Sequence, residues 1–128
     1  MFQQITKGIK ISVKTSFRGS VYRGHRQYYA FSYYISIENK SKDTVKLLER
    51  FWVIFDALNN TEYVEGEGVV GETPTLKPNE IYNYRSNSFL LSTTGAMGGN
   101  YKMINVETLE EFLVIIPTFQ LTTTTILN

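Results

Sequence analysis

Apolar residues recur at every second position over much of this chain. From Ile9 to Phe17, Ile9, Ile11, Val13 and Phe17 alternate with Lys10, Ser12 and Lys14, the period of a half-buried strand. From Gln27 to Asn39 the alternation is cleanest. Tyr29, Phe31, Tyr33, Ile35 and Ile37 fall on one side, and Tyr28, Ala30, Ser32, Tyr34 and Ser36 on the other. A helix would need apolar residues three and four apart. Residues 44–58 read both ways. Leu47, Leu48, Phe51, Trp52 and Phe55 fit a helical face, whereas Val45, Phe51, Val53, Ile54 and Phe55 fit a buried strand; their β-branched and aromatic character favours the strand. A return strand begins at Glu62, a short strand covers Glu80 to Arg85, and Tyr101 to Val106 pairs with Phe112 to Ile116 through the turn ETLEE. Pro117 cannot donate to a ladder, so it marks a strand end or a sheet edge. Phe119 and Leu121 resume the alternation beyond it.

The connections are read from their breakers. Residues 18–27 (RGSVYRGHRQ) contain Gly19 and Gly24 and predict a solvated basic loop; residues 86–100 predict a glycine-bearing connection. The Thr-rich residues 122–128 predict a loose tail. Seven or more short strands with no helix and no repeat give an all-β antiparallel sandwich of immunoglobulin or fibronectin type III kind, with a partly open barrel as the structural alternative. The expected organisation is one domain over residues 1–128, its core at about 7–121.

Composition sharpens this picture in three places. At 14% aromatic the chain suits pleated surfaces. Without cysteine it has no disulfide, thiolate metal site or cysteine nucleophile. Its first ten residues lack the apolar run of a signal peptide and no stretch approaches the roughly 20 residues of a membrane span, so a soluble cytoplasmic protein is expected. The charge is uneven. Residues 1–50 carry ten Lys/Arg and a net +7, residues 51–128 a net −6, an asymmetry that can mark an acidic partner. Tyrosines on the second strand can stack bases, but phenols reaching the surface of a strand are the commoner case. With a total of +1, nucleic acid ranks behind other partners. His25 is the only histidine, which leaves a hydrolytic triad without a supporting motif.

The chain's most distinctive stretch is Gly66 to Pro78, GEGVVGETPTLKP. Gly66, Gly68 and Gly71 match G-x-G-x-x-G, yet Pro74 and Pro78 follow where a phosphate-binding helix would have to continue. Glu62, Glu65, Glu67 and Glu72 surround the glycines and would repel a bound phosphate unless a cation intervenes. Arg50, Lys77 and Arg85 are the candidate cations. The same carboxylates offer oxygens to Mg²⁺ or another divalent ion, although a solvated acidic strand accounts for them as well. Bulges and tight turns that need positive φ or close backbone approach explain the glycines without a ligand.

Read with its flanks, GEGVVGETPTLKPNEIYNY resembles the signature of ApaG proteins, Val-x-Gly-x-Gly-Val-Val-Gly-x-x-Pro followed by a proline and an aromatic strand. YYAFSYYISIEN and VKLLERFWVIFDALN resemble the family's aromatic strand and its Leu-Leu-x-Arg-x-Trp segment. TGAMGGNYKM and FLVIIPTFQL resemble its Gly-x-Met-x-Gly-x-Tyr loop and Ile-Pro-x-Phe-x-Leu end. The likeness runs from Lys7 to Leu121. Phe51 stands where the family usually has His, and Asn79 where it usually has Gly. The resemblance implies a fibronectin type III-like sandwich. It also implies a genetic link to diadenosine tetraphosphate hydrolysis and to cobalt and magnesium handling, and, through related domains of eukaryotic F-box and polymerase-interacting proteins, a protein-binding role. The expected function is a non-enzymatic protein-binding module without a cofactor. Binding of a nucleotide or pyrophosphate-containing ligand, with or without a divalent cation, is the alternative. The candidate ligand-binding residues are Gly66, Gly68, Gly71, Arg50, Trp52, Lys77, Arg85, Gly95, Met97 and Gly98.

Overall fold

Strand pairing begins at the N-terminus. The computed structural model describes residues 1–124, and every regular element in it is a β-strand: β1 (Phe2–Thr6), β2 (Ile9–Arg23), β3 (Arg26–Asn39), β4 (Val45–Asp56), β5 (Glu62–Glu67), β6 (Thr75–Leu76), β7 (Ile81–Leu90), β8 (Thr94–Asn105) and β9 (Glu111–Thr122). No helix there is long and apolar enough to cross a membrane. One sheet has the order β1-β2-β3-β7, the other β5-β4-β8-β9 with β6 on the end of β4, and all pairings are antiparallel. The chain crosses between sheets after β3, returns after β6 and crosses again after β7. This is the two-layer arrangement expected of an immunoglobulin or fibronectin type III-like sandwich. Its core is the inward row of each strand: Ile9, Ile11 and Val13; Phe31, Tyr33, Ile35 and Ile37; Val45, Leu47 and Trp52; Met97, Tyr101 and Met103; Val114, Ile116, Phe119 and Leu121.

Four expectations are corrected here. β1 is an additional strand, folded back on β2 through Lys7 and Gly8, both at positive φ, as a two-residue hairpin turn requires. The basic loop over residues 18–27 is not a loop: β2 and β3 run on to Arg23 and Arg26 around Gly24 (φ +64) and His25. Gly19 (φ +100) sits at a bulge inside β2 rather than ending it. The connection over residues 86–100 is likewise strand on both sides of a short turn, because β7 extends to Leu90 and β8 starts at Thr94. Glycine misleads here because Gly95 and Gly99 lie within strands where neighbouring backbone leaves no room for a Cβ. Finally, Thr122 pairs with Thr94 in β9, so the tail starts at 123; its residues 125–128 lie outside the described residues.

The double reading of residues 44–58 has a structural cause. The β4–β8 register shifts between Leu47 and Glu49, so Leu48 is an extra residue in the strand. Val45 and Leu47 face the core before this bulge, and Arg50, Trp52, Ile54 and Asp56 share the inward phase after it. A slip of one residue flips every following side chain, and the resulting mixed spacing imitates a helix. Pro117 lies in the edge strand β9, beside a second bulge opposite Gly98.

The two open sides of the sandwich differ. At one, β9 packs against β1 and β2, the Phe2 and Phe119 rings sit 6.3 Å apart, and Ile115 donates its N–H to Thr6 Oγ1 at 3.2 Å. At the other, the edge strands β5 and β7 stay apart. The groove described next lies there.

Candidate functional site

Two adjoining cavities line the open side between β5 and β7. One, of about 330 Å³, is walled by Tyr33, Arg50, Trp52, Ile54, Val64, Val69, Val70, Tyr84, Ser86 and Met97. The next, of about 320 Å³, is bounded by Ile54, Asp56, Asn59, Asn60, Glu62 and the stretch from Asn87 to Leu91. Both include Ile54, Asn87 and Ser88, so they form one groove along β7 from Tyr84 to Leu91. At about 3.3 Å per residue its length is roughly 23 Å. Asp56 holds the far end in shape. Its carboxylate accepts the N–H groups of Leu58 (3.1 Å), Leu91 (2.6 Å) and Ser92 (3.2 Å), tying the β7–β8 turn to the end of β4.

The glycine-rich stretch forms the rim at the opposite end. Val69 and Glu72 exchange backbone hydrogen bonds of 2.8 and 2.9 Å around Val70 (φ +42) and Gly71 (φ +82), which makes VVGE a two-residue hairpin turn. Gly68 (φ +64) donates its N–H to the Leu48 carbonyl at 2.8 Å, and Pro74 accepts the N–H of Leu47 at 3.0 Å. The bulge in β4 and the glycine stretch therefore complete each other's hydrogen bonding. A Cβ at Gly66 would stand 2.7 Å from the Arg50 guanidinium, so this glycine leaves room for that group. Arg50 Nη1 donates to the carbonyls of Glu67 and Gly68, both at 3.0 Å. This polarity is the reverse of a phosphate cradle, in which loop N–H groups converge on an anion. Here loop carbonyls converge on a cation, and the amides of Gly68, Val69 and Glu72 are taken within the fold.

Behind Arg50 lies a group of tyrosines. The hydroxyls of Tyr84 and the fully buried Tyr101 are hydrogen-bonded to each other. Burial pushes both phenols above their ordinary value; in Tyr101 the neighbouring Tyr84 adds to this, and Arg50 opposes it in both. A phenol whose folded-state value is raised stabilises the fold fully below the unfolded value of about 10 and loses that contribution as pH rises through the folded one. The urea midpoint is therefore expected to stay level from about pH 7 to 9 and fall above about pH 10, less steeply in Tyr84→Phe. A midpoint that holds steady well above pH 10 contradicts this account of the pair.

The whole chain can now be set beside known proteins. The sequence model of the ApaG domain matches residues 20–105. Protein ApaG of Parvibaculum lavamentivorans is 40% identical over 121 residues, covering 94% of this chain and 92% of that protein. This chain belongs to the ApaG family. Protein ApaG of Shewanella sp. (strain W3-18-1) is 42% identical over 120 residues, 94% of each chain. The X-ray structure of Northeast Structural Genomics Consortium target SoR45 is similar at a TM-score of 0.87 and 41% identity, covering 94% of this chain and 90% of that one.

Two departures from the ApaG pattern now have positions. Phe51 faces outward from the five-stranded sheet and stacks on Tyr63 at 6.2 Å, so the place of the family's histidine is away from the groove. Asn79 has φ +72, a region that Asn enters more readily than other side chains when Gly is absent. Of the residues singled out in the sequence, Arg50, Trp52 and Met97 line the groove and Gly66, Gly68 and Gly71 shape its rim. Gly95 packs under Phe55 and Leu90, and Gly98 meets Thr118. Lys77 lies in the turn after β6, where its N–H bonds Glu80 Oε1 at 2.7 Å. Arg85 projects from the outer face of the four-stranded sheet, in register with Tyr34 and Lys14. Among the described residues no three His, Asp or Glu side chains gather as a metal site. Tyr84 and Asp56 on the groove walls, and Tyr101 behind Tyr84, are its unforeseen contributors. Tyr84 left a trace in the sequence as an inward member of the alternating EIYNYR, and Tyr101 as the tyrosine of TGAMGGNYKM.

Proposed function

We propose that this ApaG domain is a protein-binding module that receives an extended polypeptide segment along the β7 edge. One observation carries the reading: β7 is a ten-residue edge strand with no proline, a single charged side chain (Arg85) and the groove along its free side. Edge strands without such a role are usually short, charged, bulged or covered. β5, the facing edge, follows that rule with six residues, three of them Glu. A strand added to β7 would satisfy its free backbone groups, and alternate side chains of the guest would enter the groove. Val70 supports this. It is a β-branched residue held at φ +42, 55% exposed, at the groove's mouth, and strained backbone of this sort collects at ligand-binding sites.

The test is selection of a displayed random heptapeptide library on the folded protein, followed by amide-resolved NMR titration of the winners. The expected result is saturable shifts along Ile81–Leu90 and the groove walls. The reading is overturned if no peptide is selected, or if the winners shift the outer face of the five-stranded sheet, where Phe55, Tyr63 and Ile115 are exposed. Parallel titrations with diadenosine tetraphosphate, ATP and pyrophosphate, each with and without Mg²⁺, address the phosphate-ligand reading. Saturable shifts on Gly66–Gly71 would put that reading first.

A further inference from the structure

Arg50 has charge to spare. Nη1 is committed to the carbonyls of Glu67 and Gly68, which are neutral, and among the described residues no carboxylate lies within ion-pairing distance of the guanidinium. Glu65 and Glu67 flank it in sequence space on β5, yet the register pairs them with Phe51 and Glu49 on the outer face of the sheet. The Tyr82 phenol is raised by desolvation and by the charge of Glu72. Arg50 is the only cation on the walls of the groove cavity; it also borders an outer cavity lined by Lys46, Lys102, Glu49, Glu65 and Glu67. Its surroundings in the groove are the rings of Tyr33, Trp52 and Tyr84, with Ser86 beside them. A guanidinium offers five N–H donors in a planar fork that matches a carboxylate. Held by its loop carbonyls, it is already oriented, so a guest gives up less freedom in meeting it.

We propose that the Arg50 end of the groove is a carboxylate-binding subsite, taking an Asp or Glu side chain of the docked segment. This rests on the reading that an extended polypeptide occupies the groove. The guest side chain would lie between the Trp52 and Tyr84 walls, with its carboxylate on the free edge of the Arg50 guanidinium. Apolar walls limit the screening of the pair by water, and the charge-assisted contact then discriminates Glu from its neutral amide analogue.

Two measurements test this separately from the docking itself. In the first, sodium acetate is titrated into the labelled protein at constant ionic strength while the Arg50 Nε–H and Trp52 indole N–H signals are followed. Saturable shifts at Arg50 and the groove, with only linear drift at the exposed Arg18 and Arg26, are expected. Uniform linear drift at all three arginines overturns the subsite, whatever peptides do. In the second, each groove-binding peptide is compared with versions carrying Gln for each acidic residue. One such change should weaken binding about tenfold on wild type and have no effect on Arg50→Gln. Should Arg50→Gln fail to fold, Arg50→Lys keeps the charge without the fork and is expected to lose most of the discrimination. Peptides that bind along β7 with no preference for an acid overturn the subsite and leave the docking reading standing. Saturable acetate shifts with no peptide selected do the opposite.

Discussion

Trp52→Ala is expected to cost about 4 kcal/mol, within the range of about 3–5 kcal/mol for truncating a large buried aromatic. The side chain is only 3% exposed and stands where both sheets meet. The Tyr33 ring of the opposite sheet lies 5.4 Å from it, while Phe119 and Tyr101 present edge-on contacts at 5.9 and 6.5 Å. Truncation opens a void bordered by β3, β4, β8 and β9 at once, and no single strand can move in to fill it without breaking its ladder. Typical domains have only about 5–15 kcal/mol in hand, so the variant should be largely unfolded at moderate urea. Trp52→Phe should recover most of the loss. Because Trp52 is the only tryptophan, circular dichroism must follow the transition. A loss of about 1 kcal/mol or less would mean that the side chain is a groove wall and not a part of the core.

The same residue shows how far the sequence carries. Strand positions on β3 could be read directly, because Phe31, Tyr33, Ile35 and Ile37 alternate without interruption and all four are buried. β4 could not be read with the same certainty, since the extra residue at Leu48 changes the phase between Leu47 and Trp52. Long hairpins were hidden for a related reason. Gly19, Gly95 and Gly99 look like strand breakers, but each occupies a bulge or a close backbone approach inside a strand, and single-residue propensity carries no information about a neighbour across the sheet.

Legibility of the site was more limited. Arg50 and the glycines stand 16 or more positions apart in the chain, and only the β4–β5 register brings Arg50 opposite Gly66. Lys77 and Arg85 are nearer the glycines in sequence, 6 and 14 positions past Gly71, yet one ends in a turn and the other on an outer face. The ten cations of the first half are divided in the same way. Lys10 and Lys14 belong to the four-stranded sheet, Lys46 and Arg50 to the five-stranded one. The groove itself has no sequence mark, because it is formed by what does not pair: the free edges of β5 and β7.

Gly68→Val and Gly71→Val are expected to differ by about 2 kcal/mol, and the difference discriminates between a structural and a ligand-cradling origin of the G-x-G-x-x-G pattern. Both glycines have positive φ, +64 and +82, so each valine incurs the left-handed penalty of about 1–2 kcal/mol, more for a β-branched residue. Their surroundings are unlike. A Cβ at Gly68 would press into the Glu72 carbonyl and meet the Thr73 methyl at 3.1 Å, whereas nothing lies within 4 Å of one at Gly71. Moving Gly68 aside also weakens its 2.8 Å bond to Leu48 and shifts the carbonyls that hold Arg50, adding about 1–3 kcal/mol. Gly68→Val should therefore lose about 4 kcal/mol and disturb the groove, while Gly71→Val should lose about 2 kcal/mol and leave peptide binding unchanged. Urea denaturation of both variants gives the comparison. Equal losses would mean that the hairpin does not pack against Glu72 as described. A Gly71→Val protein that folds normally but no longer binds its ligand would move the functional centre from the β7 groove to the turn.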